Sequence, residues 1–277
     1  MLKKIFQITS YIFAAVGFVL TAGYFAVRLG ITNTSGVIDL QQEDFLANAN
    51  SALNDSTANY YWQSLPEWQT LKAAIEKDAP VINRAALDAG ISPRLLVANL
   101  AVEQLRFFFD DRESYKKFFA PLKILGSETQ FSWGVMGVKE STALEIEKNL
   151  DDSSSPFYLG DSYSHLLDFP ATTTPSNIGQ ERFARMTDQH DHYWSYLYAA
   201  LYLRQVERQW RNAGYDISKR PEILATLFNI GFENSHPNAD PHSGGAAIPI
   251  GNRIYSFGTL AGELYYSSEL LTLFPIK

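Results

Sequence analysis

The chain contains no cysteine, which excludes disulfides, thiolate metal sites, cysteine nucleophiles and a lipidated cysteine anchor together. It has no Gly-rich phosphate loop, and no serine, Ser162 and Ser195 included, stands in a G-x-S-x-G setting. Nucleotide-phosphate and serine-hydrolase chemistry therefore have no motif to rest on. There is no repeat, no heptad array and little of the strict alternation that marks strands. Basic residues are scarce. Three of the 23, Lys3, Lys4 and Arg28, flank the amino-terminal apolar run, which leaves 20 against 30 acidic residues and a charge of about −10 for residues 29–277. Such a body repels nucleic acid and anionic lipid surfaces. What is present is apolar and aromatic: 46% hydrophobic residues over 277 positions, enough for a real core, and 14% aromatic residues, which fit either a well-filled core or a sugar-stacking groove.

From Ile5 to Val27 the chain carries 23 residues without a charge. As a helix this run extends about 35 Å, enough to cross a bilayer core of about 30 Å. It is longer than the apolar core of a signal peptide, and no A-x-A cleavage site follows it. Residues 1–28 are thus expected to form a transmembrane anchor. Lys3 and Lys4 before the span favour a cytoplasmic amino terminus, with the rest of the chain periplasmic or otherwise extracytoplasmic. Residues 29–58, poor in apolar rhythm and rich in Asn, Ser, Thr, Asp and Gln, read as a stalk.

A mainly α domain is expected over 59–277. The Ser64-Leu65-Pro66-Glu67 sequence has capping-box spacing and opens a helical stretch interrupted at Pro80 and stopped near Gly90. Ser92-Pro93 starts the next helix, which runs to Phe109, and a further one spans Ser141 to Leu150. The 151–179 stretch, with Ser153-Ser154-Ser155-Pro156 and Thr172-Thr173-Thr174-Pro175, reads as a loop-like insertion. Gln180 to Asn212 has the longest helical pattern of the domain. Pro221 to Ile230, closed by Gly231, and an amphipathic segment from about Thr259 to Phe274 complete the set.

Glu103 is the residue of most chemical interest. It falls on the apolar stripe Leu96, Leu100, Phe107, and a carboxyl so placed is either paired, with Arg106 one turn along, or held protonated by desolvation. A general acid for glycoside cleavage needs the second condition.

Three segments add a resemblance. Leu96-Val97-Ala98-Asn99-Leu100-Ala101-Val102-Glu103-Gln104 resembles the catalytic-helix segment of the lysozyme-like lytic transglycosylases. Ser132-Trp133-Gly134-Val135-Met136-Gly137-Val138, followed by Thr142-Ala143, is similar to that family's S-x-G-x-M-Q-V turn and its T-A. Ala225-Thr226-Leu227-Phe228-Asn229-Ile230-Gly231, preceded by Ala199-Ala200-Leu201-Tyr202-Leu203, resembles its A-x-Y-N-x-G signature. The three lie in the family's order and cover about half of the chain. The chain departs from the pattern at Gly137, where the family has glutamine, at Phe228, where it has tyrosine, and in a longer gap between Glu103 and Ser132.

The resemblance implies a lysozyme-like fold and an enzyme acting on peptidoglycan glycan strands without a cofactor. Glu103 is then the single catalytic acid and base. Ser132, Gly134 and Met136 shape the floor, Phe228 and Asn229 meet or hold the substrate, and Gln130 or Tyr255 replaces the missing polar contacts. Two alternatives stay open. Lysozyme-type hydrolysis would draw a second carboxylate from Glu128, Asp110 or Asp111. A non-catalytic glycan-binding or scaffolding ectodomain would instead have protein partners in an envelope-spanning complex.

Four histidines, His190 and His192 on the long helix and His236 and His242 in the Gly-rich 232–252 stretch, offer ligands of the type zinc accepts. Residues two apart on a helix point to opposite sides, so no metal is expected there. Asn234, Asn238 and His242 are better candidates for sugar-facing polar groups.

Overall fold

The computed structural model describes residues 60–109 and 132–276, residues 17–18, and strand β1 (Val37–Ile38). Contacts divide the chain into two units. One comprises residues 1–34 and 111–130, of which the described residues 17–18 are helical and exposed. The other comprises 35–110 and 131–277 and carries the whole candidate site. Gln130, Glu128, Asp110 and Asp111 lie outside the described residues, as does the apolar 5–27 run except for residues 17–18. Among the described residues no helix is long and apolar enough to cross a membrane.

The second unit is mainly α. Its helices are α1 (Pro66–Ala89), α2 (Pro93–Phe109), α3 (Glu140–Asp151), α4 (Asp161–Ser164), α5 (Ile178–Thr187), α6 (Tyr193–Asn212), α7 (Pro221–Ile230) and α8 (Phe257–Tyr266). Among the described residues the strands form three antiparallel pairs: β1 with β4 (Gly244–Gly245), β2 (Ser132–Trp133) with β3 (Val138–Lys139), and β5 (Ala247–Ile250) with β6 (Arg253–Ser256). Five helices close a circuit, with α1 against α2 and α6, α6 against α7, α7 against α8, and α8 back against α2. The β1 strand comes from the stretch read as stalk and pairs Val37 with Gly245 and Ile38 with Gly244.

Proline and glycine mark the helix boundaries. Pro66, Pro93 and Pro221 stand at the first helical positions, where a missing N–H costs nothing, and Gly90 ends α1 in the left-handed conformation. Pro80 does not interrupt α1, which runs through it and gives up one internal hydrogen bond there. The expected capping box at Ser64 is absent, since the Ser64 hydroxyl donates to the Tyr61 carbonyl instead (2.8 Å).

The long helix expected from Gln180 to Asn212 is two helices, α5 and α6. Asp188 Oδ1 accepts from the N–H groups of His190 and Asp191, and Asp191 Oδ1 accepts from that of Tyr193, so two side chains replace the helical ladder across the break. The last helix is shorter than expected, ending at Tyr266 rather than Phe274. The 151–179 insertion is mostly irregular, with α4 and a 3-10 turn at Pro175–Asn177. It packs through buried Leu167 and through Phe169, over which the Arg185 guanidinium lies at 4.4 Å.

Helix α2 is buried nearly all round, so it is a core helix rather than an amphipathic one. Helix α6 is also deeply buried but sends polar tips to its neighbours, as buried tyrosines and tryptophans must. Tyr196 donates to Asp78 of α1, Tyr198 to Glu147 of α3, Tyr202 to the Leu227 carbonyl of α7, and Trp210 to Ser235. Glu147 also receives Arg182 of α5 through two bonds of 2.6 Å, joining three helices at one carboxylate.

Candidate functional site

Glu103 sits near the carboxyl end of α2 and is 3% exposed. The guanidinium of Arg106, one turn on, donates to Glu103 Oε2 at 2.7 Å. The opposite wall is the turn between β2 and β3. At Gly137, where φ is +63°, an added Cβ would lie 3.0 Å from Glu103 Oε2. Backbone thus approaches the carboxylate so closely that an added Cβ would crowd it, in a conformation that favours glycine as well.

The turn is clamped from both sides. The Gln104 amide donates to the Val135 carbonyl, and Ser195 Oγ of α6 accepts from the Met136 N–H. A Cβ at Gly134 would come within 2.1 Å of the Met186 carbonyl, so this glycine serves the packing of the turn on α5 and α6.

Glu103 and Arg106 open on a cavity of about 250 Å³. Gly137, Val138 and Lys139 line it from the turn, Ser141, Thr142 and Glu145 from α3, Tyr202 from α6, and Phe228 to Glu233 from α7 and the 3-10 turn after it. Asn229 Oδ1 accepts from the Ala246 N–H (2.7 Å) and Thr226 Oγ1 from that of Gly244 (2.9 Å), so α7 is tied to β4 and the residue after it. The Tyr202 ring packs against Phe228 and Phe232, and its hydroxyl donates to the Leu227 carbonyl (2.8 Å). Burial first, then Glu145 and Glu233, push the Tyr202 phenol well above its ordinary range, which keeps it a fixed donor. Partial burial and then Glu233 raise the Glu145 carboxyl, while Lys148 pulls it back.

Of the residues singled out in the sequence, Glu103, Phe228 and Asn229 line this cavity. Met136 is fully buried behind it, and Gly134 faces α5 and α6 rather than the cavity. Ser132 pairs through its backbone with Lys139. Sequence reasoning missed Lys139, Glu145 and Glu233 altogether. Glu145 was within reach, because it follows Ser141 and Thr142 at helical i, i+3 and i+4 spacing and so shares their face of α3.

Tyr255 lies elsewhere, on β6, with its hydroxyl buried. Its ionisable neighbours are Arg253, Tyr61 and Glu263 of α8, the last of which accepts from Trp62 Nε1 at 3.0 Å. Burial pushes the Glu263 carboxyl from 4.5 up to about 7, against the pull of Trp62 and Arg253. Between those two values the folded chain holds a proton that the unfolded chain has lost, so this group's contribution to stability falls as pH rises through the window. Glu263→Gln, which keeps an acceptor for Trp62, should remove that fall and be more stable than the parent above pH 7 by up to about 3 kcal/mol. Urea midpoints of both proteins at pH 5 and pH 8 test this, and an unchanged pH dependence in the variant would refute it.

The break after α5 alters the histidine reading. His190 and His192 lie in the loop, not on a helix. His190 is exposed, while His192 Nδ1 is 2.5 Å from Asp78 Oδ2, which also accepts from Tyr196. Asn234 donates to the Ile230 carbonyl and Asn238 to that of His236, so both shape their own turns. Among the described residues no group of three or more histidine or acidic side chains could hold a metal ion. In comparisons with family models, curated proteins and solved structures the chain matches none, so what the site can do must be argued from its own residues.

Proposed function

We propose that this chain is a peptidoglycan lytic transglycosylase of lysozyme-like type, with the apolar 5–27 run as its membrane anchor and the helical domain in the periplasm. It cleaves the β-1,4 bond between N-acetylmuramic acid and N-acetylglucosamine. One observation carries the reading: the three segments that resemble the family, far apart in sequence, meet at one cavity. Glu103 comes from the first, Gly137 from the second, and Phe228 and Asn229 from the third.

Glu103 protonates the leaving glycosidic oxygen and then, as a base, takes the proton of the sugar's own C6 hydroxyl, which attacks to close a 1,6-anhydro ring. The rigid backbone at Gly137 limits the freedom of the carboxylate, and the Phe228 ring offers an apolar wall to a sugar face. Released muropeptides should end in 1,6-anhydro-muramic acid, about 18 Da, one water, lighter than hydrolysed ones by mass spectrometry. Reducing ends alone would instead make the chain a lysozyme-type hydrolase. That second reading is favoured by Glu145 and Glu233, which put further carboxylates on the same cavity.

The Glu103–Arg106 pair favours the remaining reading, a domain that binds glycan without cutting it. A zymogram with peptidoglycan in the gel separates the two, because only the catalyst leaves a cleared band. Protease added to spheroplasts should shave the domain from the membrane, and full protection would argue against the anchored topology.

A further inference from the structure

Strand β1 and the cavity are joined through main-chain groups. Asn229 lines the cavity from the end of α7, and its Oδ1 rests against β4. That oxygen accepts from the Ala246 N–H at 2.7 Å and would lie 2.8 Å from a Cβ added at Gly245. Gly245 therefore has little room for a side chain, and its φ of +99° suits glycine in any case. Two further bonds hold the same side of β4. Thr226 Oγ1 of α7 accepts from the Gly244 N–H at 2.9 Å, and the Ala246 carbonyl accepts from the Phe257 N–H of α8 at 3.0 Å. One side of β4 is thus tied to α7 and α8, and the other side takes β1.

Register identifies the contact. Val37 stands opposite Gly245 and Ile38 opposite Gly244. The N–H groups of Gly244 and Ala246 are given to α7, so the polar groups of Gly245 are the ones that face β1, with Val37 as their partner. A pairing of two residues is a small part of a domain's stability, and local openings of this size occur while a core stays folded. Strand β1 can therefore leave β4 without unfolding the helices.

We infer that residues 37–38 form a releasable strap. Docked on β4, they fix Gly245 and, through it, the Asn229 side chain that shapes one wall of the cavity. Released, they loosen that wall. The stretch read as stalk is in this way an input to the site, carried by backbone pairing.

Two proline variants of the intact chain test the strap. Val37→Pro removes the N–H that faces Gly245. Ile38→Pro removes one that points away from β4, and it keeps Val37 extended, because the residue before a proline is held in the extended region. Hydrogen exchange at Gly245 and Ala246 should be about tenfold faster in Val37→Pro than in the parent, and unchanged in Ile38→Pro. Amides of α1 and α6 should exchange alike in all three proteins. The NMR signal of the Asn229 side-chain amide should shift or broaden in Val37→Pro only. Resting on the glycan reading above, a titration with tetra-N-acetylglucosamine should show about fivefold weaker binding by Val37→Pro, with parent affinity in Ile38→Pro.

Unchanged exchange at Gly245 in Val37→Pro overturns the inference, as does an equal rise in Ile38→Pro, which would mark a general effect of proline. Faster exchange with an unmoved Asn229 signal removes the link to the cavity. An early loss of the whole fold in Val37→Pro would make β1 part of the core rather than a strap. If the parent does not bind the tetramer, the glycan reading is at fault, and exchange and the Asn229 signal decide the strap by themselves.

Discussion

Glu103→Gln should lower peptidoglycan cleavage by about 10²–10⁴, the usual loss when a general acid is removed, with the fold retained. Glutamine keeps the shape of the side chain and its carbonyl can still accept from Arg106 Nη2, now at 2.7 Å from Glu103 Oε2, but it cannot pass a proton. A purely structural pair predicts the opposite emphasis, since breaking it from either side should cost about 3–5 kcal/mol and Arg106→Ala should do as much harm as Glu103→Gln. With the glutamine carbonyl still accepting from a guanidinium that reaches the cavity, the loss in Glu103→Gln should be milder than that limit. Turnover and melting temperature of both variants, measured side by side, separate the roles. A folded Glu103→Gln protein that cuts at a rate near the parent's would falsify the catalytic assignment.

Arg94→Met is the second large effect, and it falls on stability. Arg94 is 2% exposed, and its guanidinium gives all its hydrogen bonds to backbone carbonyls at and beyond the end of α8. Nε reaches the carbonyl of Tyr265 (2.7 Å), Nη1 those of Glu269 (2.6 Å) and Phe274 (3.2 Å), and Nη2 those of Leu264 (3.1 Å) and Ser267 (2.7 Å). Burial lowers its pKa to about 10, which still leaves it charged at neutral pH. Methionine fills much of the same volume but donates nothing, and each buried carbonyl left without a donor costs about 1–3 kcal/mol. Some relaxation is certain, so the sum is not additive, but a loss above about 4 kcal/mol is expected, at the exceptional end for single substitutions. Arg94→Lys should recover only part, because an ammonium cannot span five acceptors. Urea unfolding of the three proteins decides it, and a loss below about 1 kcal/mol for Arg94→Met would mean that these carbonyls find water or one another.

Arg94 also shows where sequence reading stops. Local chemistry was legible: Pro66, Pro93 and Pro221 open helices, and Gly90 and Gly231 follow their ends, because each acts through its own backbone. The shortened α8 was not. Its apolar rhythm continues past Tyr266, and what ends it is a side chain some 170 positions earlier that turns the last carbonyls toward itself. The Asp188–His192 break was hidden for a related reason. Neither Gly nor Pro marks it, and aspartates that elsewhere sit on helix surfaces here accept from the backbone.

The site was legible in the same partial way. The Glu103–Arg106 spacing announced their pairing, and the three resembling segments contain Glu103, Phe228 and Asn229, which meet at the cavity. The apolar stripe proved a weaker guide to Glu103, because α2 is buried on nearly every side. Glu233 gave no sign, since a carboxylate after a helix end reads as solvated surface until the fold turns it toward Glu145.

Gly137 also limits which side chains this turn can carry. In the turn that this segment resembles, the position holds glutamine. Here a Cβ would meet the Glu103 carboxylate, and the backbone at +63° disfavours any side chain. A Gly137→Gln substitution is therefore penalised twice, by backbone strain and by crowding of the Glu103 carboxylate, which must give way slightly. Change in the cavity is therefore easier at its other positions than at this turn.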